Sequence, residues 1–279
     1  MTVHGRAAPA RLRLRWLLAG VGAVVVAAAA GLALGPVRLP PGSVAVELLN
    51  LLPWVHLDSG LSPPEAAILT ELRLPRVTLG LLVGAMLALA GSTYQGVFRN
   101  PLADPYLLGA AAGAGLGATV AIILRGVPGG DETIGLPATV PFAAFVGALV
   151  AVALTYGLGA ASGRDPSGGR LRSPAALILA GVAVTSFVTA VQTYLLQANV
   201  QTIREVYSWI LGRLATAGWH DVLLLLPYVV VVGLVVLLHG RRLDVLAVGD
   251  EEATGLGMHP QRTRILLIVL ASLGTAAAV

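Results

Sequence analysis

Two groups of charged residues in this sequence have a type and spacing that could serve a chemical purpose. Arg73 and Arg76 lie three residues apart with Pro75 between them. On a helix this spacing puts both guanidinium groups on one face, and proline is well tolerated in a first helical turn. The pair could face a partner, or it could be two interfacial arginines that extend toward water. The residues by themselves favour the two interpretations equally.

The acidic run Asp250-Glu251-Glu252 is the second group. Asp250 is predicted to cap a short helix, because acids are favoured in a first helical turn, and Gly255 or Gly257 could end it. On these residues alone the segment is a solvated loop helix.

Other chemistry is excluded by residue types that are missing from the sequence. Without cysteine there is no thiol-ligated metal or cluster, and without lysine there is no phosphate-binding P-loop, so the chain itself is not expected to hydrolyse nucleotide. The five histidines lie in loops or at the ends of apolar runs, which favours solvated side chains over metal ligands. We therefore expect no catalytic residue, no metal site and no cofactor bound by this chain.

The composition predicts an all-α polytopic membrane protein. Of 279 residues, 56% are hydrophobic and only 11% are charged, and the mean hydropathy is +0.84. Seven apolar runs approach the roughly 20 residues that cross a bilayer as a helix. They fall at residues 17–35, 77–98, 105–124, 134–161, 174–196, 222–238 and 265–279.

None of these runs contains Asp, Glu, Lys, Arg or His. Proton-driven and sodium-driven carriers usually keep such groups inside the membrane, so the energy for any transport is expected to come from elsewhere. The seventh run is short and ends without a polar cap, and we expect it to be incomplete. We predict one domain over residues 1–279.

The arginines predict the orientation. With residues 1–15 in the cytoplasm, twelve arginines fall on cytoplasmic segments and six on external ones, which agrees with the positive-inside rule. The cytoplasmic arginines are Arg6, Arg11, Arg13, Arg15, Arg99, Arg164, Arg170, Arg172, Arg241, Arg242, Arg262 and Arg264. Residues 240–264 then lie on the cytoplasmic side, because the seventh run cannot begin before Arg264 without burying Arg262 or Arg264.

Small residues mark predicted helix contacts. Gly109, Gly113 and Gly117 repeat at intervals of four, which lets two helix backbones approach closely in lipid. Gly80 and Gly84 have the same spacing, although for a single pair the general abundance of glycine in membrane helices is the simpler explanation.

A polar stripe marks the fifth run. Ser186, Thr189 and Thr193 share one helix face. The stripe is predicted to line a substrate path, whereas any one of these residues is better explained by a hydrogen bond between helices.

The sequence also resembles a known family. The segments RLPR at residues 73–76, LLVGAMLALAG and QGVFRNPLADPYLLG are similar to the FecCD-type permeases, the membrane subunits of ATP-binding-cassette importers for iron–siderophores, haem and cobalamin. Members usually have about ten spans, so the resemblance implies about three further helices. It also implies that Arg73 and Arg76 accept acidic side chains of an external binding protein. The loop with Asp250, Glu251, Glu252, Ala253 and Gly257 would fit a groove on an ATPase subunit.

The resemblance thus implies a non-catalytic permease subunit in a bacterial inner membrane, with iron–siderophore as the expected solute. Its expected partners are a second permease copy or close paralogue, ATPase subunits that hold the ATP, an external binding protein and membrane lipid, and no nucleic acid. The alternative is a self-contained carrier or channel, and a membrane enzyme ranks third.

Overall fold

The computed structural model describes residues 14–125, 139–161, 174–212 and 214–279, and these residues contain helices and loops but no strand. The basic N-terminal segment, the loop with Arg164, Arg170 and Arg172, and Arg213 lie outside the described residues. The helices are α1 (Leu14–Ala33), α2 (Pro41–Asn50), α3 (Pro63–Ala67), α4 (Leu74–Phe98), α5 (Ala110–Arg125), α6 (Thr139–Ala161), α7 (Pro174–Ala198), α8 (Ile203–Ile210), α9 (Trp219–Leu238), α10 (Gly240–Val248), α11 (Asp250–Gly255) and α12 (Pro260–Ala278). A π-helical segment, Ile68–Arg73, joins α3 to α4, and 3₁₀ turns cover Pro105–Leu108, Val200–Thr202 and Leu214–Thr216.

The all-α polytopic fold is confirmed, and a helix lies in each of the seven apolar runs. Within the described residues, five helical stretches are long and apolar enough to cross a membrane. They are Leu14–Ala33, Pro63–Phe98, Val140–Gly159, Ala176–Ala198 and Trp219–Leu238. Helix α5 has 16 residues and is therefore only about 24 Å long, shorter than a typical hydrocarbon core.

The start of the seventh run differs from the prediction. Helix α12 begins at Pro260 and not at Ile265, so Arg262 and Arg264 lie inside its first two turns. Proline fixes a helical φ and loses nothing at a first turn, where its missing N–H has no acceptor. The expectation that Arg264 must precede the helix was therefore wrong, and Arg264 is largely buried.

The chain divides into two compact units, residues 1–81 and 82–279, with the boundary inside α4. In the first unit, a small core forms from Leu32 of α1, Leu39, Val44 of α2 and Leu69 of the π-helical segment. The prediction of one functional domain over residues 1–279 stays a prediction.

The second unit is built on alanine and glycine. Ala110, Ala114 and Ala118 of α5 are fully buried, as is Ala148 of α6. Larger side chains fill the space elsewhere: Tyr94 of α4 is fully buried, and its hydroxyl shares a hydrogen bond of 2.7 Å with the Ser272 hydroxyl of α12.

The predicted glycine face is present on α5, with Gly147 of α6 opposite. A Cβ added to Gly113 would overlap the Gly147 carbonyl oxygen and lie 2.6 Å from the Ala151 Cβ, and one added to Gly117 would overlap the Ala143 carbonyl oxygen. Gly109 has a different role from the predicted one. It precedes α5 with a φ of 80°, so it makes a left-handed turn, and a Cβ added there would lie 3.3 Å from the Thr185 hydroxyl oxygen of α7.

Within the part of the chain that the structure describes, Gly84 of α4 shows no close helix contact of this kind. A Cβ on Gly84 would meet nothing within 4 Å among the described residues, and Gly80 is half-buried. A packing role for Gly80 and Gly84 stays a prediction.

We expect Gly113→Ala to destabilise the protein, although alanine is the better helix former by about 1 kcal/mol. Forcing a methyl group into a packed backbone contact typically costs about 1–3 kcal/mol. The measurement is the thermal midpoint of the purified protein in detergent. Gly84→Ala is the matched control and should leave the midpoint unchanged or slightly raised. Equal midpoints for the two variants would contradict the contact.

Candidate functional site

Three charged side chains meet where α10, α11 and α12 come together. Arg264 of α12 donates to the Asp250 carboxylate through two nitrogens, at 2.9 Å to Oδ1 and 3.4 Å to Oδ2. Arg99, the residue after α4, makes an ion pair with the same Oδ1 atom. Asp250 is the first residue of α11, so its negative charge also faces the positive end of that helix.

Arg99 adopts an unusual backbone conformation. Among the described residues it is the one non-glycine residue with a positive φ, at 50°. This left-handed conformation costs a side-chain-bearing residue roughly 1–2 kcal/mol, and glycine is its usual occupant after a helix. Here it directs the Arg99 Nε to the Leu246 carbonyl of α10, at 2.6 Å. Arg99 therefore contacts both sides of the corner at Gly249, where α10 ends and α11 begins.

The neighbouring backbones approach closely. A Cβ on Gly96 of α4 would lie 3.1 Å from the Leu243 side chain of α10, which is tighter than an ordinary contact. Because Gly96 has no side chain, α4 can lie close to α10 three residues before Arg99. This close approach brings the Arg99 guanidinium within contact distance of α10.

The environment keeps Asp250 ionised. Partial burial by itself raises the pKa of this carboxyl, but the hydrogen bonds and charges of Arg264 and Arg99 outweigh it, so the pKa lies below its ordinary value. The Arg264 side chain is only 12% exposed, whereas Arg99 is 38% exposed. The Arg264 Nε has no partner among the described residues, and its Nη1 and Nη2 donate to Asp250.

The three consecutive acids have different surroundings in the structure. Glu251 and Glu252 are exposed, and Gly257 is exposed with a φ of 77° in the turn after α11. Asp250 does not cap the helix as predicted, because the N-cap residue is Gly249. The Asp250 carboxylate binds the two arginines instead. Ala253 is fully buried, so the expectation that it offers a surface for a partner was wrong.

Arg73 and Arg76 also have different surroundings. Arg73 is 7% exposed, and its Nη1 donates to the carbonyls of Leu32 at 2.7 Å and Ala33 at 3.0 Å. Its Nη2 donates to the Val37 carbonyl. Arg73 therefore binds the end of α1, contrary to the expectation that both guanidinium groups are displayed together. Arg76 is half-buried, and its Nε has no partner among the described residues.

The predicted polar stripe on α7 lies on an exposed face. Ser186, Thr189 and Thr193 are exposed, and the Thr193 hydroxyl donates to the Thr189 carbonyl at 2.8 Å. The polar contact with a neighbouring helix comes from a different residue, Gln192, which donates to the Thr119 hydroxyl of α5 at 3.1 Å.

Sequence reasoning missed Arg99 and Arg264 as site residues. Arg99 lies inside the RNPLADP segment that carries the family resemblance, which was the available signal. Arg264 lacked a signal, because its partner is 14 residues away on another helix.

Comparisons with known proteins show the family of this chain. Residues 23–279 match the model of the FecCD transport family. The chain belongs to this family. Over 236 residues it is 39% identical to the cobalamin import system permease protein BtuC of Halobacterium salinarum, which covers 82% of this chain and 60% of that protein. It is 32% identical to the ferric enterobactin transport system permease protein FepD of Escherichia coli, over 92% of this chain and 71% of that protein.

The FecCD fold is also found among solved structures. A structure described as an inward-facing metal-chelate type ABC transporter has a TM-score of 0.73 at 24% identity, and covers 95% of this chain and 75% of the solved chain. At that identity the likeness concerns the fold alone. The chain spans 60% of the length of the BtuC protein and 59% of an uncharacterized Bacillus subtilis ABC transporter permease, YvrB.

We expect Arg73→Gln to destabilise this FecCD chain more than Arg76→Gln does. Hydrogen bonds that involve a charged group are worth about 1.5–3 kcal/mol, and Arg73 donates to two carbonyls at the end of α1 and to one in the loop that follows. The thermal midpoints of the two purified variants provide the measurement. A larger loss for Arg76→Gln would contradict the structural role assigned to Arg73.

Proposed function

We propose that this chain is the membrane-spanning permease subunit of an ATP-binding-cassette importer that moves a metal chelate or cobalamin into the cytoplasm. The observation that carries the proposal is the match of residues 23–279 to the FecCD transport family, together with relatives named as import permeases. The chain itself performs no chemistry, and ATP binds to a separate subunit.

The proposed assembly contains two permeases, two ATPase subunits and an external binding protein. Residues 1–15 and the α10–α11 region face the cytoplasm, in agreement with the arginine distribution. The exposed face of α11, with Glu251 and Glu252, docks the ATPase, and Gly257 allows a close approach in the turn that follows. ATP binding to the ATPase subunit moves α11, and the membrane helices open to one side of the membrane at a time.

The solute is proposed by class. Relatives are named for cobalamin, ferric citrate, ferric enterobactin and ferric hydroxamate, all large and bulky chelates. A path lined by hydroxyl groups without charged rings suits such solutes better than bare ions. We assign Ser186, Thr189 and Thr193 to this path, because they form one exposed polar face of α7. We propose an iron–siderophore as the transported solute, with cobalamin as the second candidate.

Reconstitution tests the proposed function. The permease is expressed with candidate ATPase and binding-protein subunits from the same genome, and ATP hydrolysis is measured in vesicles with cyanocobalamin, ferric citrate or ferric enterobactin. We expect all subunits to co-purify and one chelate to stimulate both hydrolysis and uptake. Uptake by the permease without ATPase, driven by a proton or sodium gradient, would establish the rival carrier function instead.

Arg76 is the proposed contact for the binding protein, because its side chain is partly exposed in the first turn of α4, whereas Arg73 is buried. We expect Arg76→Glu to weaken binding-protein association at low salt, where exposed charge pairs act most strongly. Arg38→Glu reverses an equal charge in the preceding loop and is the control. Association that is unchanged by Arg76→Glu would exclude this contact.

A further inference from the structure

We propose that Asp250, Arg99 and Arg264 form an ionic clasp that makes α11, the end of α4 and the start of α12 move as one body. The inference rests on the proposed function, since the ATPase is the partner that displaces α11. Its three members are positioning residues: they transmit a displacement and do not contact the solute.

The clasp is needed because α11 is too short to be held by its own backbone. It has six residues, and isolated helices of that length are unstable in water. It lies between Gly249 and Gly257, two residues that offer little resistance to backbone rotation. A displaced α11 would swing about these glycines unless its side chains were attached elsewhere.

The structure shows two such attachments, and both lie on one face of α11. Ala253 is fully buried against the rest of the chain, and Asp250, three residues earlier, binds Arg99 and Arg264. Residues three apart share a helix face. The opposite face presents Glu251 and Glu252 to solvent, so the surface available to a partner is separate from the surface that is attached.

The two arginines connect α11 to different helices. Arg264 belongs to α12, and its buried charge would lose its carboxylate if α11 moved away, which is strongly unfavourable for a buried ion. Arg99 follows α4 and also binds the Leu246 carbonyl of α10, so it keeps the corner between α10 and α11 at a fixed position.

Helices α4 and α12 are already joined without the clasp. The Tyr94 and Ser272 hydroxyl groups share a buried hydrogen bond between them. The clasp therefore attaches α11 to a pair of helices, α4 and α12, that already contact each other. A displacement of α11 would then be transmitted to both of them.

Distance measurements in the assembled transporter test the clasp. Because the sequence contains no cysteine, spin labels can be attached at Gln95→Cys on α4 and Leu256→Cys just after α11, two exposed positions. The labelled chain is diluted with unlabelled copies and assembled with a cysteine-free ATPase. Pulsed electron paramagnetic resonance then gives the distance between the labels without nucleotide and with ATP trapped by vanadate.

We expect this distance to stay constant between the two nucleotide states in the native background. In the double variant Asp250→Asn with Arg264→Gln it should shift, because α11 then loses its contacts with both arginines. In Arg99→Gln alone it should stay constant, because Arg264 still connects α11 to α12 and so to α4. A second label pair, Leu256→Cys with Arg262→Cys on α12, should stay constant in Arg99→Gln, because the Asp250–Arg264 pair remains. The double variant removes the carboxylate and the largely buried cation together, so it avoids the folding defect expected of Asp250→Asn alone, which would leave Arg264 without its carboxylate.

Arg241→Gln is the matched control, since it removes the same charge from an exposed position on α10. It should behave as the native chain does. A native distance that changes between nucleotide states, or a distance in the double variant that stays constant, would overturn the clasp while leaving the proposed function in place. Failure of the native chain to assemble with the ATPase would overturn both.

Discussion

The carbonyl groups at the ends of helices impose a constraint on this chain that its arginines satisfy. The last four carbonyls of any helix have no partner within it, and where water is scarce they need donors from elsewhere. Arg73 supplies donors to Leu32 and Ala33 at the end of α1, and Arg99 supplies one to Leu246 near the end of α10. A guanidinium suits this task because it has five donors in a fixed plane and stays charged.

The same two arginines explain local features that look unfavourable in isolation. Arg73 ends a π-helical segment, a rare geometry that shifts the direction of later side chains. Arg99 has a positive φ, which is costly for any residue with a side chain. In both cases the backbone cost is offset by hydrogen bonds from a charged donor to carbonyl oxygens. Replacing either residue would remove these bonds and leave helix ends without donors.

The sequence predicted the helices well because their signal is local. Apolar runs of spanning length are sufficient to locate α1, α4, α6, α7 and α9, and the repeat of Gly113 and Gly117 is sufficient to predict a close helix contact. It could not identify Gly147 as the residue opposite, since one sequence contains no information on which helices are neighbours. The start of α12 was misplaced because charge was taken to exclude a residue from the helix, whereas the pairing of Arg264 with Asp250 makes its burial possible.

The site was predicted less well than the fold, because the direction of a side chain depends on contacts between distant segments. Three consecutive acids look equivalent in sequence, yet on α11 they point in different directions. Asp250 and Ala253 are three apart and share the attached face, while Glu251 and Glu252 lie on the exposed one. Once Ala253 is known to be buried, helical geometry places Asp250 at the edge of the same face, where its side chain is 45% exposed and can still reach the protein. Arg99 and Arg264 pair with it there, so Ala253 and Asp250 together attach a six-residue helix along a single face.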